Sequence, residues 1–197
     1  MVESCLSNPR QWYISLRSAA SHPYKMSYSR ALQLAILQYH RVSPRAAQQY
    51  LDNLIKRHHF KDGRRVTKME IDLLSYIRWA TSERVKMVDF KVNLALPSGF
   101  LELRGEIGRV DITPTGYRAV LFGKPAANWQ RQLRMPLIQV GIGQMYGRPT
   151  EDVAVGFQEL DGSNLQTIIF TAAQTTTARR RFRALGETLR KLSATRT

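Results

Sequence analysis

Apolar residues recur at helical spacing through the first third of the chain and then switch to alternation. Leu32, Ala35, Ile36 and Tyr39 fall on one stripe, which predicts a helix over 27–40. Ser43-Pro44 reads as a cap followed by proline at the first helical position. Ala47, Tyr50, Leu51, Leu54 and Ile55 then continue a second helix. Lys61-Asp-Gly-Arg-Arg65 reads as a turn, and Thr67-Lys-Met-Glu70 has capping-box spacing for a third helix ending near Ser82. From residue 85 the period becomes two. Val88, Phe90, Val92 and Leu94 are expected on one face of a strand over 85–96. Pro97-Ser-Gly99 turns the chain into strands at 100–103 and 107–112, or one strand interrupted by glycines. Thr113-Pro-Thr-Gly116 leads to a strand at 118–122. A glutamine-bearing helix is expected at 128–145, strands at 153–160 and 165–171 around Asp161-Gly162, and a basic helix at 173–192.

This order predicts an α/β fold: a mixed central sheet flanked by helices, with an N-terminal helical extension over 1–65 and the sheet-bearing domain over 66–197. The length of 197 residues suits one full core with a small addition.

Charge changes the picture most. The formal net charge is +15 and the sequence pI about 10.5, an excess that calls for an anionic partner. Nucleic acid is the first expectation, DNA ahead of RNA, with protein partners beside it and no membrane. Cys5 is the single cysteine, so no internal disulfide forms, and His58 and His59 lack partners at zinc-ligand spacing. The first ten residues have no signal-peptide core and no run reaches the length of a membrane span, so a cytoplasmic location is expected, with a nucleoid or organelle interior as the other setting.

The candidate chemistry lies in Gly105-Glu-Ile-Gly-Arg-Val-Asp111 and Tyr117-Arg-Ala-Val-Leu-Phe-Gly-Lys124. A carboxylate ends one apolar strand and a lysine the next. Adjacent strands are expected to bring Asp111 and Lys124 side by side, Asp111 to a metal ion and Lys124 to a phosphate. The plainer reading is that Asp111 ends a strand before a turn and Lys124 is solvated.

Gly108-Arg-Val-Asp111, Phe122-Gly-Lys124 and the helix opened by Trp129-Gln-Arg-Gln132 resemble, in that order, the motifs of the PD-(D/E)XK nuclease superfamily, in its RecB-like branch. The likeness spans roughly residues 66 to 171. It implies a restriction-endonuclease-like fold, with Asp111 as metal ligand, Lys124 and Gln132 at the catalytic centre, and Mg²⁺ as cofactor if the protein is active. The departure is Phe122, which stands where the family has its second acid. Magnesium needs several oxygen ligands, and Phe122 supplies none. The predicted helix at 128–145 carries no carboxylate, so Glu106 is the first alternative acid and Glu70 the next. Strict alternation puts Glu106 on the opposite face from Asp111 unless a glycine bulge intervenes. Asp89-Phe-Lys91 is a lower-ranked acid-x-lysine.

Basic clusters supply the remaining candidates. Arg179, Arg180, Arg181, Arg183, Arg190 and Lys191 crowd the terminal helix, where Phe182, Leu185, Leu189 and Leu192 form a docking stripe. Arg131 and Arg134 lie near the proposed centre. Guanidinium groups so placed suit phosphate contacts. The sequence thus points first to a nucleic-acid-binding protein with a degenerate metal site in a nucleoprotein assembly. A metal-dependent nuclease is the second reading. A helix-turn-helix or architectural subunit, using Trp12 and Tyr13 for contacts, is the third.

Overall fold

The computed structural model describes residues 26–194. Three helices come first: α1 (Tyr28–Arg41), α2 (Pro44–Arg57) and α3 (Gly63–Ser82). Ser27 caps α1 by accepting from the Arg30 N–H, and Ser43 caps α2 by accepting from Ala46, with Pro44 in the first turn as expected. The third helix departs from expectation. Asp62 caps it through the Arg65 N–H, so it starts inside the predicted turn and leaves Thr67 to Glu70 in its interior.

The sheet follows: β1 (Lys86–Ser98), β2 (Leu101–Thr113), β3 (Gly116–Phe122), then helix α4 (Arg134–Met145), β4 (Val153–Gln158), β5 (Gln166–Ile168) and helix α5 (Ala172–Ala194). Strand order is β1-β2-β3-β4-β5. The first three strands form an antiparallel meander, α4 carries the chain over to β4 parallel with β3, and β5 returns antiparallel. The fold is therefore α/β, with a five-stranded mixed sheet among the described residues.

Each face of the sheet is covered. Leu32, Ile36, Leu51, Leu73 and Tyr76 of α1–α3 form one core with Phe90 and Phe122. On the other face Leu137, Val140 and Ile142 of α4 and Phe182 of α5 pack on Val92, Leu94, Val110 and Val155. Two details of the meander depart from simple alternation. Met87 pairs with Asp111 and Asp89 with Val110, so Val88 is an extra residue in a bulge and points outward, against the expected stripe. Phe90 and Val92 belong to cores on different faces, and between them Lys91 takes a left-handed backbone at φ 55°. The predicted helix over 128–145 is also divided: a 3₁₀ turn at Trp129–Arg131 precedes α4, which opens just before Pro136. Cys5, Trp12, Tyr13 and Arg196 lie outside the described residues.

Candidate functional site

The hairpin register decides what surrounds Asp111. Thr113 pairs with Gly116 across a tight turn, which sets Asp111 opposite Arg118. Lys124 lies six residues beyond Arg118, about 20 Å further along an extended chain. The expected Asp111–Lys124 pair is therefore not formed. Lys124 is exposed, just past the end of β3.

Asp111 instead meets guanidinium groups. Arg109, two residues earlier and so on the same face of β2, donates from Nε to Oδ1 at 2.6 Å and from Nη2 to Oδ2 at 3.0 Å. Arg118 donates to Oδ2 from the neighbouring strand at 3.1 Å. Both Arg109 and Asp111 are 0% exposed. An isolated charge so placed would be prohibitive, and the surroundings answer it. Arg109 also donates to the Tyr76 hydroxyl of α3 and, at 2.9 Å, to Oε1 of Gln158 at the end of β4. Gln158 in turn donates to the Gly162 carbonyl at 2.7 Å. The guanidinium carbon sits 5.1 Å from the Trp79 ring centre, 5.6 Å from that of Tyr76 and 5.7 Å from that of Phe122.

Phe122 is thus more than a missing acid. Its ring forms one wall of the guanidinium pocket and contacts Phe90 and Tyr76. It reaches there across Gly108: a Cβ at that position would lie 2.4 Å from the ring. The glycine of the Gly-x-x-Asp phrase and the phenylalanine of the next strand fit one another.

His40 extends the network from α1, with Nε2 2.8 Å from the Tyr76 hydroxyl. Burial, and then the Arg109 charge, depress its pKa from 6.5 to about 4, so it stands neutral. Burial likewise pushes the Tyr76 phenol up.

These residues do not fit a magnesium ion. Both Asp111 oxygens accept from guanidinium groups, and the nearby side chains are Arg, Tyr, Phe and Gln. Among the described residues no group of three or more His, Cys, Asp or Glu could hold a metal. Glu106 does face the α1–α3 layer, but Arg30 of α1 holds it at 2.7 Å. Glu70 is exposed on α3. Asp89 is occupied by its bulge, accepting from the Phe90 N–H and the Tyr146 hydroxyl.

The cationic candidates separate into tied and untied groups. Arg134 is half-buried, donates to Gln132 at 2.9 Å and lies over the Phe157 ring. Trp129 is a core residue that donates to Gln166 at 3.1 Å. Gln139 is no surface amide: it is fully buried and bonds the Thr150 and Phe170 backbones, fastening α4 to the start of α5. By contrast Arg179, Arg180, Arg181, Arg183 and Arg190 are exposed on α5; Lys191 is exposed on the same helix but has an interaction of its own. Phe182, Leu185 and Leu189 bury its inner stripe as expected. Arg179, Arg180 and Arg183 line a depression of about 300 Å³ against the β1–β2 turn. Arg181 projects from the other flank, toward Arg131 on the 3₁₀ turn. Among the described residues no carboxylate pairs with any of these five arginines.

With this geometry in view, likeness to known proteins adds one fact. The chain matches the crystal structure of a "Putative exonuclease" from Eubacterium rectale with a TM-score of 0.52. The match covers 89% of this chain and 71% of that one, at 9% identity. The fold is nuclease-like. No family model matches the chain, and no curated protein matches it. Among the described residues no helix is long and apolar enough to cross a membrane.

Sequence reasoning missed Arg109 and Gln158. The signal for Arg109 was present: an arginine and an aspartate two apart in an otherwise apolar strand share one face and can pair. Gln158 carried no signal, because its partner comes from a different strand.

Proposed function

We propose that this protein binds nucleic acid through its phosphate backbone and does not hydrolyse it, acting within a nucleoprotein assembly. The observation that carries the reading is the Arg109 guanidinium clasped by Asp111 in a nuclease-like sheet. The carboxylate that would hold a metal ion already holds an internal cation, and Phe122 closes the pocket around it. The untied arginines of α5 and the net charge of +15 support the binding half. Exposed Ile71 and Leu74, three residues apart on α3, give a protein partner an apolar foothold.

End-labelled DNA and RNA incubated with the protein and Mg²⁺ or Mn²⁺ provide the test, with Asp111→Asn and Lys124→Ala as controls. The reading predicts intact strands that are nonetheless retained on filters. Cleavage by the native chain that both variants lose would establish a nuclease and overturn it.

A further inference from the structure

Two depressions, of about 380 and 420 Å³, lie between α5 and the segment 126–136 and share Arg131, Gln132, Leu133 and Arg181. They form one continuous groove, and each is of a size that takes a small ligand. Its two cations come from different elements, Arg131 from the 3₁₀ turn and Arg181 from α5, and neither has a carboxylate partner among the described residues. Among the described residues no acid lines the groove. Leu133, Pro136 and Ala178 give it an apolar floor, and Asn128, Gln130 and Gln132 give it amides. Arg134 fixes the Gln132 oxygen at 2.9 Å, so that amide presents its NH₂.

From this we infer that the groove is a binding site for a single-stranded nucleic-acid segment. The two guanidinium groups hold its phosphates, and the floor and amides take an unpaired base. The inference rests on the proposed nucleic-acid binding and makes it more specific. Backbone binding to a duplex needs cations alone, and Arg179, Arg180 and Arg183 on the other flank of α5 supply those. Amides that both donate and accept, set beside an apolar floor, are suited to a base whose edge and face are free. The arginines of α5 therefore split between two tasks, with the buried stripe of the helix between them.

Fluorescence anisotropy with a labelled 12-mer, single-stranded and as its duplex, separates this site from general charge. The native chain should prefer the single strand. Arg131→Ala with Arg181→Ala should lower single-strand affinity about tenfold and leave duplex affinity within about twofold. Its log K against log salt should be shallower by about 1.4, or 0.7 for each lost phosphate contact. Asn128→Ala with Gln130→Ala should erase the single-strand preference without changing the slope. All four positions are on the surface, and unchanged thermal melts confirm folding. Equal loss on both DNA forms, native-like single-strand binding by the arginine variant, or a native preference for duplex would each overturn the groove while leaving nucleic-acid binding intact. A native chain that binds neither form would overturn both.

Discussion

Arginine does opposite work on the two sides of this sheet. On the α1–α3 side, Arg109 is entirely buried, and Asp111, Tyr76 and Gln158 bond its guanidinium while three rings surround it. On the other side, the arginines of α5 stand in solvent, and among the described residues none of them is paired with a carboxylate. The first group is matched internally and leaves nothing over for a ligand. The second is unmatched, which a stable fold tolerates only at the surface, and its charge is available to a partner. Charge alone therefore does not mark a binding site; charge without an internal partner does.

The matched side should break first and hardest. Arg109→Met leaves Asp111 buried with only the half-buried Arg118 for support. Loss of one partner of such a pair costs about 3–5 kcal/mol, which urea denaturation should record. Replacing both, Arg109→Met with Asp111→Leu, should cost less than Arg109→Met alone, because no buried charge is then stranded. If the double variant proves the less stable, the centre is more than a matched pair.

The unmatched side should behave in the reverse manner. Arg179→Ala, Arg180→Ala and Arg183→Ala together should shift stability by no more than about 0.5 kcal/mol. Affinity for DNA at moderate salt should nonetheless fall roughly ten- to a hundredfold, on a guide of lost phosphate contacts. A large fall in melting temperature would show that these side chains support the fold after all.

A smaller effect probes the fit between the two strands of the centre. Gly108→Ala drives a methyl into the Phe122 ring and should cost about 1–3 kcal/mol. Phe122→Leu in the same chain should recover part of that, and strict additivity of the two changes would deny the contact.

A separate probe of the matched side is pH dependence. His40 is neutral in the folded chain down to about pH 4, whereas the unfolded chain takes up that proton near 6.5. Proton uptake by the unfolded state thus lowers stability progressively as pH falls from about 6.5 to about 4. Arg109, Asp111, Tyr76 and Tyr39 are the charged and titratable groups that face this imidazole. His40→Gln should lose less stability than the native chain over that window, and parallel curves would remove His40 from the network.

How much of this could be read from the sequence depended on how far each interaction reaches. The element order followed from local periodicity and from the Ser43 cap, whose bond spans three residues. The α/β layout followed from that order. The position of Val88 did not, because a bulge is a property of two paired strands rather than of one. The Asp111–Lys124 pair failed for the same reason: residue counts placed both at strand ends, but the tight turn at Thr113 and Gly116 set Asp111 against Arg118. Phe122 was recognised as a departure from an acid, while its role as a wall for Arg109 required the third dimension. The surface arginines of α5 were legible because exposure on an amphipathic helix is a local matter.

The most direct test of the central claim, that unmatched surface cations bind a phosphate backbone, is the slope of log K against log salt for the native chain on DNA. With four or more phosphates engaged, the account predicts a slope of about −3 or steeper. A slope near zero, or no measurable affinity at low salt, would contradict it.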